Sequence, residues 1–590
     1  MEKEINNRNL GEIYTPEHIS KLLKNKTKDV LGGDFEDRFL IWDCAWGTGN
    51  LTKQLDGTGE LFCSTLRQMD IKKNRKLKGT KFVYNFLEED IDQLFSEQEM
   101  WIAEHKNIPE RILECLNDEN DKPILFYVNP PYVSTGTFGS NNTDFKDGAT
   151  LSRVKAQMRD GALGSASDQL YCQFIYRIWK MMEAYPNKKL YMALVIPAQL
   201  LTVVSYSKFR EEMFKHFKFS GGAYFRANNF KGLNNRWGIT IQIWEPGINI
   251  NKNEFKLDLY KNVSPSEIKH VGYKTLYNID NMKPGHEVAI NKLNISNATE
   301  APITLSSGVR VSNKRKVLWD KDGIGFIFFK GNNIYHNCTE TGIMCVPYSD
   351  GSGFSINKDN IDDALAFFTA RRSVGVYDRD WTTDKDEYIS PNINSSGYKK
   401  LIANSLIYSL FNDSTHFSGF SYENKRYYNT FNFLSKEELI ELGFDRNILD
   451  KEYEKSKCGY IAKKLKSDLE SGLVLESGIK VIEEAKRLYK ETMKLREKFN
   501  EQPDGEVYQV LNWDAGWYQI KWILKKYDND TYKKFRMMYR VFSREVCELV
   551  YECGFLKNRA VDFEGNILRN YDVDLDIFED EDTEDLLEDD

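Results

Sequence analysis

Apolar runs and amphipathic stretches alternate along the first 245 residues. "FLIWDCAWGTGNL" (39–51) opens as a strand and passes into a glycine turn, and "ELFCSTLRQMD" (60–70), "KFVYNFLEED" (81–90) and "ILFYVNPPY" (124–132) read as three more strands. Apolar positions at helical spacing mark "DQLYCQFIYRIWKMMEAY" (168–185), "KKLYMALVIPAQLL" (188–201) is a buried strand ended by Pro197, "SYSKFREEMFKHF" (205–217) is a short helix, and "WGITIQIWE" (237–245) is a closing strand. Strands alternating with helices predict an α/β domain over 1–245. Residues 246–300 turn Asn- and Lys-rich and read as a linker. Residues 301–433 are rich in Gly, Asn and aromatics with short strand-like runs. From Leu434 to 570 helices dominate, and Ile479, Ile482, Ala485, Tyr489, Met493 and Arg496 trace one long amphipathic helix.

Composition adds two points. At 590 residues the chain is too long for one core, and no apolar run reaches the length needed to cross a bilayer. Nine cysteines are scattered without a CxxC pair, which points to reduced thiols and no metal site. The formal charge of −8 looks wrong for a nucleic-acid partner, but residues 571–590 hold twelve acids and no Lys or Arg, which leaves the rest at +4. That tail reads as a solvated, disordered end, or as a mimic of DNA competing for a basic groove.

Two motifs carry chemistry. Asp43 closes the first strand, and Gly47-Thr48-Gly49 follow, so backbone N–H groups can approach a ligand closely. Alone this fits an ordinary turn. Asp70, expected at the end of the second strand, adds an acid placed for ribose hydroxyls, and the pair points to an adenosine-containing cofactor.

The second motif is Asn129-Pro130-Pro131-Tyr132. An amino group on a base is a poor nucleophile because its lone pair is delocalised into the ring. Acceptors aimed at its two N–H bonds favour the change towards sp3 that methylation requires. The Asn129 side-chain oxygen is one acceptor, and the Pro130 carbonyl, held stiff by proline geometry, is the other. Tyr132 offers a face on which a flipped base stacks.

On these residues, 9–245 resembles an amino-group methyltransferase using S-adenosylmethionine, most like the gamma class of DNA adenine-N6 methyltransferases. "GEIYTP" resembles its N-terminal cofactor motif, "DCAWGTGNL" its glycine motif, "STLRQMD" its ribose-binding acid, "NPPY" its catalytic motif, and "FKGLNNRWGITIQIW" the late motif whose aromatic, Phe230, packs on the flipped base. The resemblance implies a Rossmann-like class I methyltransferase domain followed by a mixed α/β and helical target-recognition region. It implies S-adenosylmethionine held by Tyr14, Thr15, Pro16, Asp43, Ala45, Gly47, Gly49, Asn50, Asp70 and Asn85. The family carries an acid where Asn85 stands, and Asp90 is the substitute the sequence offers. The implied partners are double-stranded DNA and a separate restriction endonuclease, in the cytoplasm of a bacterial or phage-infected cell.

The Gly-, Ser-, Thr- and Asn-rich stretch 133–167, with Arg153, Lys155 and Arg159, is expected to be a lid that orders on DNA. Further DNA contacts are expected from basic-aromatic patches holding Lys314, Arg315 and Lys316, Arg371 and Arg372, and Lys425 and Arg426. "NWDAGWYQIKW" (512–522) reads as helix-packing core. The methyltransferase motifs begin within fifteen residues of the start, and no convincing nuclease strand pair follows them. The same chemistry suits cytosine N4, an RNA amino group or a protein glutamine amide, and a catalytically silent DNA-binding subunit is a further reading. The length beyond 245 favours recognition of a long polymer, and intact Asn129, Gly47 and Gly49 speak against a silent subunit.

Overall fold

A computed structural model of the chain describes residues 15–57, 59–89, 108–132, 152–227, 230, 237–264, 266–280, 282–306, 311–312, 316–332, 334, 341–349, 352–377, 387–500, 510–557 and 559–568. Two compact units divide them. Residues 15–280 with 559–568 form one, and 282–377 with 387–557 form the other.

The first unit is built on a ten-stranded sheet. Helix α1 (Glu17–Leu31) precedes β1 (Leu40–Asp43), β2 (Leu61–Thr65), α2 (Gln68–Lys73), β3 (Thr80–Val83), α3 (Glu110–Asn117) and β4 (Ile124–Val128). Then come α4 (Arg153–Asp160), α5 (Leu170–Ala184), β5 (Leu190–Pro197), α6 (Ser207–Met213), β6 (Phe217–Arg226), β7 (Gly238–Pro246), β8 (Glu254–Ser264) and β9 (Glu267–Tyr277). The order across the sheet is β3-β2-β1-β4-β5-β7-β6-β8-β9, closed at the far edge by a short strand, Ala560–Val561. β3 to β5 run parallel, while β7 is antiparallel to both β5 and β6.

Burial follows the two-residue period of a strand covered on both faces. In β4, Ile124, Phe126 and Val128 join Tyr171, Ile175 and Ile178 of α5 in one apolar cluster. Leu125 and Tyr127 join Ile19, Leu22 and Leu23 of α1 in another, on the opposite face. That double cover is why "ILFYV" reads as one unbroken apolar run.

The expected linker is a correction. Within 246–300, β8 and β9 are eleven residues each and extend the sheet. Phe255, Leu257, Leu259 and Leu276 enter the α5-side core. The alternate positions carry Lys, Asp and Asn, and those gave the segment its linker-like composition. Part of the expected loop is likewise ordered: Ser152 caps α4 by accepting from the Lys155 N–H.

The second unit has one dominant core. A four-stranded sheet of β10 (Gly325–Phe329), β11 (Thr341–Met344), β12 (Ser352–Ile356) and β13 (Thr415–His416) runs in the order β12-β10-β11-β13. It shares that core with α7 (Ile361–Tyr377), α8 (Ser396–Phe411), α9 (Cys458–Glu470), α10 (Glu476–Glu491), α11 (Trp517–Tyr527) and α12 (Asn529–Glu552). The expected boundary near 433 falls inside this core, because Phe354, Phe367 and Phe411 pack in one cluster with Val481, Tyr489 and Phe542. The single long helix expected through Arg496 is two, ending at Glu491 and resuming at Met493. Trp513 and Trp517 are buried as the packing reading of 512–522 expected. No described helix is long and apolar enough to cross a membrane.

Candidate active site

The chain lays β1, β2 and β3 outward in one direction, then returns to place β4 on the other side of β1. Strand order therefore reverses between β1 and β4. Neighbouring parallel strands at such a reversal leave a crevice beyond their carboxyl ends, where α/β sheets bind ligands. Leu40, Ile41 and Trp42 stand opposite Ile124, Leu125 and Phe126. The glycine turn after Asp43 and the segment 129–132 thus leave the sheet side by side.

The turn after β1 is tightly folded. Gly47 has φ +51° and Gly49 φ +74°, the left-handed region that glycine enters without strain. A Cβ at Gly49 would lie 2.7 Å from both the Trp46 ring and Leu77. At Gly47 such a Cβ would meet nothing nearer than the Ala45 carbonyl oxygen, 3.9 Å away, so little crowds that backbone. Asp43 is buried and accepts from the Ala45 N–H at 3.1 Å. Burial pushes its carboxyl up to about 8. Ala45 packs against the α5-side core. Asn50 accepts from Lys53 Nζ through its side chain and from Ser20 Oγ through its carbonyl.

Thr15 immediately precedes α1, with Pro16 at its N-cap. Its Oγ1 accepts from Asn129 Nδ2 at 2.7 Å. Tyr132 donates its hydroxyl to Asn129 Oδ1 at 2.7 Å and also lies 2.9 Å from the Val195 carbonyl. A phenol has one proton for these two acceptors. The Asn129 amide is thereby fixed, nitrogen to Thr15 and oxygen to Tyr132.

Several expectations are corrected by position. β2 ends at Thr65, so Asp70 lies in the first turn of α2 and does not end the strand. Its Oδ2 accepts from Arg67 Nε at 3.0 Å and Thr65 Oγ1 at 3.3 Å. Tyr132 and Phe230 offer no open ring face: they are 6% and 2% exposed in the α1-side core, and Phe230 stacks on Phe225 at 6.2 Å. The Asn85 oxygen accepts from the Leu87 N–H at 3.2 Å, a local turn.

Among the expected DNA contacts, Lys155 is buried and paired with Asp168 at 2.8 Å, and Arg159 reaches the same carboxylate at 3.1 Å. Arg153 lies beside them at the start of α4, its N–H on Glu88. Arg371 is fully buried, donating to Thr341 Oγ1 and the Gly331 and Lys330 carbonyls among Phe329, Phe367 and Tyr388. It braces the second core and cannot meet a phosphate. Arg372 is half-buried. Lys316 is exposed and paired with Glu300, Lys425 is exposed, and Arg426 pairs with Asp514. Tyr14, Asp90, Lys314, Arg315 and the acidic tail lie outside the described residues.

The sequence reading missed Arg67 and Val195. Arg67 stands three residues before Asp70 across a helix start, a spacing that brings the two side chains together. Val195 contributes only its carbonyl, which no side-chain pattern reveals.

No protein-family model matches the chain, and no curated protein matches it in sequence. Solved structures match it in part. A DrdV–DNA complex shares 13% identity at TM-score 0.31, over 45% of this chain and 31% of that one. A type I restriction-modification methyltransferase subunit from Streptococcus thermophilus shares 15% identity at TM-score 0.25, over 42% of this chain and 46% of that one. The ATP-dependent Type ISP restriction-modification enzyme LlaBIII bound to DNA shares 10% identity at TM-score 0.33, over 93% of this chain and 48% of that one. The chain thus spans less than half the length of each of these three.

Proposed function

We propose that the first unit transfers a methyl group from S-adenosylmethionine to N6 of an adenine flipped out of duplex DNA. One observation carries the reading: a glycine turn and an Asn-Pro-Pro-Tyr segment leave adjacent parallel strands at the point where strand order reverses. The residues present fit the cofactor. The uncrowded backbone at Gly47 and the buried acid Asp43 suit its amino-acid end. Both described side-chain bonds of Asp70 fall on Oδ2, which leaves Oδ1 for ribose hydroxyls. Bound there, S-adenosylmethionine supplies an electrophilic methyl group.

The chain's own part is orientation and charge. Thr15 and Tyr132 hold the Asn129 amide so that its oxygen accepts from the target amino group. The Pro130 carbonyl accepts the second N–H. Both oxygens are set before the reaction, so they stabilise the charge that develops on nitrogen without reorganising. For a base to stack on Tyr132, its ring must leave the core position described above. The second unit is proposed to hold the DNA and choose its sequence.

Asn129→Ala tests the mechanism. Methylation should fall by two orders of magnitude or more, since one preorganised acceptor is worth about 3 kcal/mol, while circular dichroism and cofactor binding stay unchanged. Mass spectrometry of nucleosides from treated DNA should find N6-methyladenine. N4-methylcytosine as the main product would keep the amino-group chemistry and reject adenine as target.

A further inference from the structure

The second unit contains a small cleft of about 230 Å³ that neither core explains. It lies where the hairpin Phe420–Tyr422/Lys425–Tyr427 meets the start of α9 and the short strand Leu318–Asp320. Four cations line it, Lys425, Arg426, Lys455 and Lys457, and among the described lining residues there is no carboxylate. Arg426 is paired with the buried Asp514. None of the three lysines is within ion-pair distance of a carboxylate among the described residues.

Lys457 is held in place more firmly than a surface lysine. It is half-buried, and its backbone has φ +65°, a conformation L-residues rarely adopt. Its Nζ donates to the Gly323 carbonyl at 2.7 Å. Burial lowers its pKa, and Asp322 and Asp320 pull the other way, favouring the charged form. Gly323 has a second role. A Cβ there would come within 3.0 Å of the Trp319 ring, so glycine is what lets that indole lie against the backbone at the cleft edge. Trp319 is half-buried, and Tyr428 also lines the cleft.

Lysine ammonium groups without a carboxylate partner beside an indole suit a planar ring carrying a phosphate. The volume falls below the roughly 300–1,000 Å³ of clefts that enclose drug-sized ligands, so one ring system fills it. Aromatic stacking beside basic side chains is how proteins hold the unstacked bases of single-stranded nucleic acid. Lys425 and Lys455 are exposed, which opens the cleft to a long polymer as well as to a free nucleotide.

We propose that this cleft holds one unstacked nucleotide of the bound DNA, its base on Trp319 and its phosphate at Lys455 and Lys457. It is a second nucleotide site, separate in sequence from Asn129, and it rests on the reading of the chain as a DNA methyltransferase. The test uses the full chain with a fluorescein-labelled duplex of mixed sequence in which 5-iododeoxyuridine replaces thymidine. Irradiation should crosslink DNA to the peptide holding Trp319, and Trp319→Leu should abolish that crosslink. A Lys455→Gln, Lys457→Gln double variant should bind the duplex about tenfold more weakly and reduce the slope of log affinity against log salt by about one. Crosslinks confined to residues 1–280, or an unchanged salt slope, would overturn the proposal. So would loss of the crosslink to added mononucleotides but not to unlabelled duplex, which would assign the cleft to a free nucleotide. N6-methyladenine formed with every crosslink in 1–280 rejects this cleft alone. Failure to bind or methylate any DNA rejects the methyltransferase reading with it.

Discussion

Thr15 separates two roles that the sequence could not distinguish. The resemblance assigned it to the cofactor, whereas its hydroxyl accepts from the Asn129 amide. Thr15→Val keeps the shape and removes the acceptor. A hydrogen bond of this kind is worth about 1 kcal/mol net, so kcat should fall roughly fivefold with KM for S-adenosylmethionine unchanged, and Thr15→Ser should restore it. A raised KM at constant kcat would return Thr15 to the cofactor. Asp43 gives a pH signature. Its folded pKa, about 8, lies above the ordinary 3.8, so the native state holds a proton that the unfolded chain releases. The stabilisation is full below about pH 4 and is lost as pH rises towards 8. Denaturant titrations across that window should show stability declining with pH, with a shallower decline in Asp43→Asn. On the proposed function, a sulfonium cation bound in this crevice would favour the carboxylate, so adding S-adenosylmethionine at neutral pH should release protons, read by calorimetry in two buffers of different ionisation enthalpy.

At the level of elements, β8 and β9 are the clearest departure from the sequence reading. If they form a ladder in the sheet, their central amides should be among the slow exchangers in hydrogen-exchange mass spectrometry. Exchange within seconds across 254–277 would restore the linker. The strands around Asn129 were legible because two covered faces make a continuous apolar run, and the motif residues followed from where such a run stops. β8 was less legible because Phe255, Leu257 and Leu259 alternate with Lys256, Asp258 and Tyr260, and polar letters dominated the composition. The reverse problem hid α7 and α8 inside a region read as strand-like. They are buried nearly all round, so they show no polar stripe, and a helix without one loses its sequence signature. Arg371 shows the same limit for charge. Beside Tyr and Trp it read as a phosphate contact, yet its guanidinium is satisfied by carbonyls inside the core. Sequence gives the charge of a side chain and not the direction in which it faces.

Over the whole molecule, the two units have hydrophobic clusters made of different residues. Calorimetry of the full chain should therefore resolve two unfolding transitions. S-adenosylhomocysteine at a hundred times its dissociation constant should raise only one of them, by the equivalent of about 2.7 kcal/mol. A single transition, or an equal rise in both, would contradict that division. The strand Ala560–Val561 closes the edge of the first sheet beside β9, although the whole second unit lies between them in the chain. This has a consequence for the order in which the protein is made. As the chain leaves the ribosome, β9 emerges long before its last neighbour. At about 5–20 residues per second, the wait is roughly 15 to 60 s. Through that interval the first unit has an unpaired eleven-residue margin, the kind of surface on which nascent chains adhere to one another. Gly272 sits where that neighbour later passes so close that a Cβ would lie 2.0 Å from the Val561 carbonyl. The margin is thus shaped at Tyr273 and Lys274 for one late-arriving partner, and that pairing is timed by synthesis of the other half of the molecule.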